Sequence, residues 1–496
     1  MPFTPGVYIE DKNAFPRSAV AVETAVPVFI GYTQKAERKG KPLLHVPTKI
    51  SSFQEYIELF GTGFNARFKI VPAPAGTDEE IFLVNGKSMQ ATINENNSLY
   101  FYNAIRLFYG NGGSNCYILS VGTYAGKPGG IKIDFTDFTG DDTRPNVFTL
   151  LEKEYEPTLV VLPDIIAKGA AAYLLYTLVL QHCHKMQSRF AIFDVSQTGI
   201  QNSNNDIAQF RNDIGTSFLN YGAAYYPWLK TTVVQHSEIN FTNLDATADL
   251  ENILPEAAAK KIVADMKILN AQVLQEKQAV IHQALLACSN TYAGIMESIK
   301  NKLNILPPSA AMAGIYTLVD STRGVWKSPA NVSLSMVNAP CINITNAQQQ
   351  TMNVDVLSGK SINVIRPFPG IGTLVWGART LDGNSQDWRY INVRRTMIMI
   401  EQSLKLACRA YVFEPNDSST WVTINSMINN FLFNLWKQGA LAGSVPQQAY
   451  SIQIGLGQTM TANDILDGLL RVTVLLAIVR PAEFIVITFQ QQQQQS

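Results

Sequence analysis

Residues 387–405 read DWRYINVRRTMIMIEQSLK, and along them and just beyond, Val393, Met397, Ile400, Leu404 and Ala407 recur at 4-3-4-3 spacing. Side chains at that interval stack on one face of an α-helix, so a helix with an unbroken apolar stripe is expected here. A second helix should follow YVFEPND at 411–417. Asp417 or Ser418 can cap its start, Trp421, Ile424, Ile428, Phe431 and Leu435 form its apolar face, and Gly439 ends it. Met427, Leu432, Phe433 and Trp436 widen that face, which implies packing on two sides. With the strand-like pieces before them, these helices define an expected C-terminal α+β domain over residues 337–479.

Upstream, residues 23–336 have the punctuation of an α/β domain. Apolar runs at Val28–Gly31, Cys116–Val121, Leu159–Leu162, Phe190–Val195 and Ala223–Trp228 read as buried strands, and Ala170–Met186 and Asp206–Leu219 have helical spacing. Strands alternating with helices imply a parallel, doubly wound layer. Gly, Pro, Asp and Thr break the rhythm at 61–97 and 124–155, which are expected to be excursions carrying small β elements. A helical section is expected at 255–303, with Ile262, Met266, Leu269 and Val273 on one face and a break at Ser289-Asn290-Thr291.

Both ends of the chain read as lone strands. Val7, Tyr8, Ile9 and Glu10 follow Pro5-Gly6, and Phe484, Ile485, Val486, Ile487, Thr488 and Phe489 precede a glutamine run at 490–495. Neither has a hairpin partner nearby, so each can pair within its own subunit or at another chain's sheet edge. Residues 1–22 and 480–496 are therefore expected to be arms, the second with a disordered glutamine-rich tip.

Composition narrows the function. Hydrophobic residues make up 46% of the 496 and charged residues 16%, against about 25% charged in an ordinary soluble protein. A surface this poor in charge suits coverage by other protein. The 39 basic and 39 acidic residues cancel, which removes the electrostatic case for nucleic acid or an anionic membrane. MPFTPGVYIEDKN lacks a basic leader and an apolar core, so no secretory signal is expected. No apolar run reaches the roughly 18 residues of a membrane span. Five scattered cysteines without a CxxC pair read as buried thiols of a reducing compartment.

Searches for chemistry return little. Gly110-Asn111-Gly112-Gly113 precedes a strand and lacks the Lys-Ser/Thr of a phosphate loop, and Gly370-Ile371-Gly372 and Gly455-Leu456-Gly457 have no third glycine. His182 and His184 flank Cys183, but helix positions two apart diverge by about 200° and cannot share a metal ion. The strongest enzymatic reading uses Asp164 and Asp194, which end LVVLPD and FAIFD. Open α/β sheets bind ligands beyond the carboxyl ends of their strands, so the two acids fit an α/β hydrolase-like or metal-dependent site. They fit helix caps equally well. No catalytic residue, cofactor or metal ligand is assigned.

Several blocks occur in order over nearly the whole chain: TPGVYIE at 4–10, NGGSNCYILSV at 111–121, RFAIFDV at 189–195, YGAAYYPWL at 221–229, PPSAAMAGIY at 307–316 and RGVWKSPANV at 323–332. WGARTL at 376–381, the helix tract, FLFNLWKQGAL at 431–441 and RPAEFIVITF at 480–489 complete the series. The set resembles the contractile tail sheath proteins of phage tails, tailocins and extracellular contractile injection systems. The resemblance implies a structural subunit, made in the bacterial cytoplasm, that polymerises around an inner tube in stacked helical rings and contracts from a metastable extended state. It implies partners in other copies of the chain, the inner tube protein, and baseplate and terminal cap proteins, with no nucleic acid and no membrane insertion. It further implies that Val7–Glu10 and Phe484–Phe489 are exchanged between subunits and that the C-terminal domain faces the tube, with Arg394, Arg395, Lys405 and Lys437 as tube-facing candidates. A static tube or baseplate protein remains the alternative among structural roles.

Overall fold

The run Pro27–Thr33, PVFIGYT, is buried at every position, as a strand covered on both faces must be. It is β1 of a nine-stranded sheet that continues with β2 (Thr48–Ile50), β3 (Cys116–Thr123), β4 (Leu159–Val161), β5 (Phe190–Asp194), β6 (Gly222–Tyr226), β7 (Val332–Ser333), β8 (Asn363–Phe368) and β9 (Gly372–Val375). The spatial order is β7-β9-β8-β6-β5-β4-β1-β3-β2. All pairings from β8 to β3 are parallel, and β2, β9 and β7 close the two edges antiparallel. Helices α1 (Phe101–Gly110), α2 (Ala172–Met186) and α3 (Ser309–Arg323) belong to the same layered arrangement. Rings of Phe29, Phe101 and Phe108 join Ile192, Tyr225 and Tyr316 in its core.

The computed structural model describes residues 19–74, 81–84, 86–93, 98–199 and 203–484. It divides into two compact units. Among the described residues the larger comprises 25–322 and 328–391, and the smaller 19–24, the short stretch 323–327 and 392–484. The boundary expected at 337 thus falls inside the larger unit. The reason is long-range pairing: Asn363 and Val364 of β8 register with Tyr225 and Tyr226 of β6, extending the parallel sheet.

The two excursions differ. Within 61–97, strands Phe68–Pro72, Phe82–Val84 and Lys87–Ile93 form an antiparallel sheet. The 124–155 excursion holds short helices, Thr136–Thr139 and Val147–Leu151, where small β elements were expected. Residues 255–303 form three helices, Ala257–Lys267, Ala271–Cys288 and Asn290–Leu303. Ser289 makes the expected break, its hydroxyl accepting from the Tyr292 N–H at 3.0 Å. A further break falls inside the stripe Ile262–Val273, where Asn270 caps the next helix by accepting from the Val273 N–H. This section packs on the first excursion: Phe68, Phe82 and Ala91 share a core with Leu285, Tyr292, Ile295 and Ile299.

In the smaller unit, α4 (Ile391–Cys408) and α5 (Ser418–Lys437) meet a hairpin of β10 (Tyr450–Ile454) and β11 (Val472–Leu476). Asp417 caps α5 by accepting from the Thr420 N–H at 3.0 Å. Ile424, Met427, Ile428, Phe431, Leu432 and Leu435 are buried while Trp421, Phe433 and Trp436 are half-buried, so the widened face of α5 is covered in part. Among the described residues no helix is long and apolar enough to cross a membrane.

Candidate functional site

The six parallel strands run 2-1-3-4-5-6 across the sheet when numbered along the chain, so the winding direction switches between β1 and β4. In doubly wound folds that switch opens the ligand crevice. Here the chain fills it. The Asp164 carboxylate, just past β4, accepts from the Tyr32 N–H at 2.9 Å and from the Tyr100 and Phe101 N–H groups at 2.7 and 2.9 Å. It therefore sits at the N-terminus of α1, where nucleotide-binding sheets place a phosphate. Gly31 leaves room for it: a Cβ there would lie 2.3 Å from the Phe101 ring and 2.7 Å from the carboxylate.

Asp194 does the same for a different helix. Its carboxylate accepts from the Ser309 N–H at 2.7 Å and from the Ser309 hydroxyl at 2.6 Å, at the start of α3. Both acids are essentially fully buried. Burial raises Asp164 to about 6 and Asp194 to about 7, while their N–H donors and the Ser309 hydroxyl pull the other way. They do not converge on a cavity. A hollow of about 390 Å³ lies near the carboxyl ends of β1 and β3, lined by Tyr32, Lys127, Lys132, Asp134 and Arg144 among others, and neither acid reaches it. Arg144 is held there by Asp137 and Asp141. The enzymatic reading of Asp164 and Asp194 is thus replaced by two long-range helix caps.

The His182-Cys183-His184 triplet is dispersed as helix geometry requires. His182 is buried beside Arg189, whose Nη1 lies 2.5 Å from its Nε2. Desolvation, then the Arg189 charge, lowers His182 to about 3, so it stays neutral and accepts. The rest of the Arg189 guanidinium ties down the loop before β4, donating to the carbonyls of Leu151, Glu154 and Pro157. His184 stacks on Phe218 with ring centres 3.9 Å apart. Among the described residues no group of three His, Cys, Asp or Glu side chains is placed to hold a metal.

The remaining candidates of the sequence lie in the smaller unit. The hairpin β10–β11 alternates between half-buried and exposed positions. Tyr450, Ile452, Ile454, Val472, Val474 and Leu476 pack on the core shared with α5, while Ser451, Gln453, Thr473 and Leu475 face out. It is a two-stranded sheet: among the described residues no third strand joins either outer edge. Of the terminal interaction residues, only Phe484 is described, and it is 71% exposed. Val7–Glu10 and Ile485–Phe489 lie outside the described residues.

The four tube-facing candidates separate into two classes. Arg394 and Arg395 are 4% and 3% exposed. Arg395 donates from Nη2 to the Thr24 carbonyl at 2.9 Å, so this arginine pair is drawn into the unit and offers no free charge to a tube. The first turns of α4 are buried nearly all round, which the apolar stripe alone did not reveal. Lys405 and Lys437 are exposed, the latter with its ammonium 4.5 Å from the centre of the Phe433 ring. Asn392, missed in the sequence, is 1% exposed. Its Nδ2 donates to the carbonyls of Trp326 and Val479, both at 2.9 Å. The available signal was polar Asn392, Arg394, Arg395 and Thr396 heading an otherwise apolar helix.

Comparisons agree with this architecture. A family profile described as the phage tail sheath C-terminal domain matches residues 384–492. The tail sheath protein of Vibrio phage KVP40 is 25% identical over 197 residues, 38% of this chain and 28% of that protein. That of Burkholderia phage BcepMu is 27% identical over 154 residues, 30% of this chain and 32% of its own length. The matched segment thus spans less than a third of either curated relative. Solved structures match end to end. The PVC sheath complex of an extracellular contractile injection system, in its contracted state, is 28% identical with a TM-score of 0.61, covering 99% of this chain and 98% of that one. The contracted helical sheath of the anti-feeding prophage is 28% identical with a TM-score of 0.62, covering 99% and 100%. A sheath C-terminal profile lies over α4, α5 and the hairpin, and contracted sheath structures match along nearly the whole length, so the chain is similar throughout to contractile tail sheath proteins.

Proposed function

We propose that the chain is the structural subunit of a contractile sheath, polymerising helically around an inner tube and shortening from a metastable extended lattice without a catalytic step. The observation that carries this is the two-stranded β10–β11 sheet. A two-stranded sheet depends on packing against a helix for its stability, as this one does on α5, and its open edges are sites for borrowed strands. The β-prone runs at 7–10 and 484–489 are the strands it would borrow from neighbouring copies. Each added strand contributes several main-chain hydrogen bonds of about 1 kcal/mol each, and repetition around a lattice turns modest contacts into a continuous weave.

Contraction then requires only that the short lattice bury more surface. At about 25 cal/mol per Å², roughly 400 Å² of extra apolar burial per subunit would release about 10 kcal/mol. Of the four candidates, the exposed Lys405 and Lys437 would meet the tube, with baseplate and cap proteins at the two ends of the lattice. Synthesis in the bacterial cytoplasm and assembly into a phage tail or tail-like particle follow from that role. Deletion of Met1–Asp11 is the test. The expected product is a folded chain that forms no tubes in negative-stain images, and tubes of normal yield and length would overturn the proposal. Images before and after triggering separate a contractile sheath, with two lattices, from a static tube with one.

A further inference from the structure

The smaller unit is stitched together from three separate stretches of the described chain, residues 19–24, 323–327 and 392–484. One stripe of α4 holds all three. Positions 392, 395, 399 and 403 are three or four apart and so share a helix face. Asn392 divides the two hydrogens of its Nδ2 between the Trp326 and Val479 carbonyls. Arg395 reaches the Thr24 carbonyl, and the Ser403 hydroxyl accepts from the Val22 N–H at 3.0 Å while donating to the Met399 carbonyl at 2.7 Å. Ala19 and Val22 pack against the same core. At the other root, the Val479 N–H donates to the Ala440 carbonyl at 3.2 Å, and Leu441 bridges Ile478.

We infer that this stripe of α4 is the common anchor of both terminal arms, with Asn392 and Arg395 as the positioning residues that clamp their roots. The inference rests on the strand-exchange reading above. If each arm is inserted into a neighbour, tension enters the subunit at Thr24 and at Val479. Both points are tied to successive turns of one helix, so opposing pulls meet in a rigid element and are not passed through loops. Asn392 and Arg395 are both buried, their bonds are partly covered, and the arginine bond is charge-assisted.

The test uses the full chain carrying Arg395→Gln, Arg395→Lys or Asn392→Asp. Asn392→Asp keeps the shape but turns an oxygen toward two carbonyls. In the free protein, Arg395→Gln is expected to speed amide exchange about tenfold in residues 19–24, as loss of one charged hydrogen bond implies. Asn392→Asp should do so in 477–480. Exchange in α5 stays unchanged in the Arg395 variants, both Gln and Asp variants lose tube formation, and Arg395→Lys recovers it in part. Normal tubes despite loosened roots would overturn the anchor, as would unchanged exchange at the roots. Exchange rising throughout the unit in Arg395→Gln would make the residue a general fold determinant and equally end the proposal. Because exchange is read on free chains, the anchor is judged separately from the sheath reading, which is decided by tube formation in the unaltered protein and in the chain lacking Met1–Asp11.

Discussion

The nine-stranded sheet of the larger unit and the β10–β11 hairpin of the smaller one draw on the same β-prone residues and reach opposite outcomes. The sheet is largely self-contained: its two edges are short antiparallel strands of two and three residues, which offer little to a neighbour, and its topological crevice is filled by the chain's own Asp164 carboxylate. The hairpin stops at two strands, with one face packed and its outer edges unjoined among the described residues. On the proposed sheath role, a chain that must hold shape while its lattice rearranges would be served by both: closure would supply a body that does not change, and incompleteness the place where copies connect.

The largest expected effect sharpens this contrast directly. In the free chain, amides of Tyr450–Ile454 should exchange at least about a thousandfold faster than those of Phe190–Asp194, since exchange tracks local opening free energy. On assembly the first set should slow markedly and the second should not move. Equal protection in the free chain would erase the distinction. Next, Arg189→Met attacks the closed body. It leaves the carbonyls of Leu151, Glu154 and Pro157 and the ring of His182 without their buried donor, and urea unfolding should show a loss of at least about 3 kcal/mol.

A smaller effect concerns pH. Asp194 holds its proton more tightly folded, at about 7, than its ordinary 3.8. The folded chain therefore binds more protons across that window, and stability falls as pH rises through it. His182, lowered to about 3, acts in the opposite sense: its contribution is lost as pH falls below about 6.5. Between pH 6.5 and 8 the Asp194 effect dominates, at about 1 kcal/mol. Asp194→Asn, whose amide can still accept from the Ser309 N–H, should flatten this segment of a urea-midpoint series. An unchanged slope would assign the pH dependence elsewhere. The smallest expected change is from Lys405→Glu and Lys437→Glu, which should leave free-chain stability within about 0.5 kcal/mol. If these lysines meet the tube, both variants weaken tube-templated assembly.

Legibility in the sequence followed the range of the interaction. The strands at 28–31, 116–121, 159–162, 190–195 and 223–228 all appear in one parallel layer, because a fully buried strand is a continuous apolar run. The α4 stripe and the Asp417 cap were equally readable, since their partners lie within a turn or two. The 124–155 excursion was not, having too little periodicity to separate short helices from short strands. Nor was the break at Asn270, where an apolar stripe continued across a cap.

Local pattern by itself therefore determined the buried parallel strands and the two C-terminal helices, and that the chain resembles a sheath subunit. Only the tertiary structure decided that β8 joins β6 across more than a hundred residues, that Asp164 and Asp194 cap α1 and α3, and that Arg395 grips the Thr24 carbonyl instead of facing outward. Periodicity records how a side chain is oriented on its own element. The partner that a charge or an edge strand meets depends on which distant segment folding brings beside it, and no spacing in the sequence encodes that.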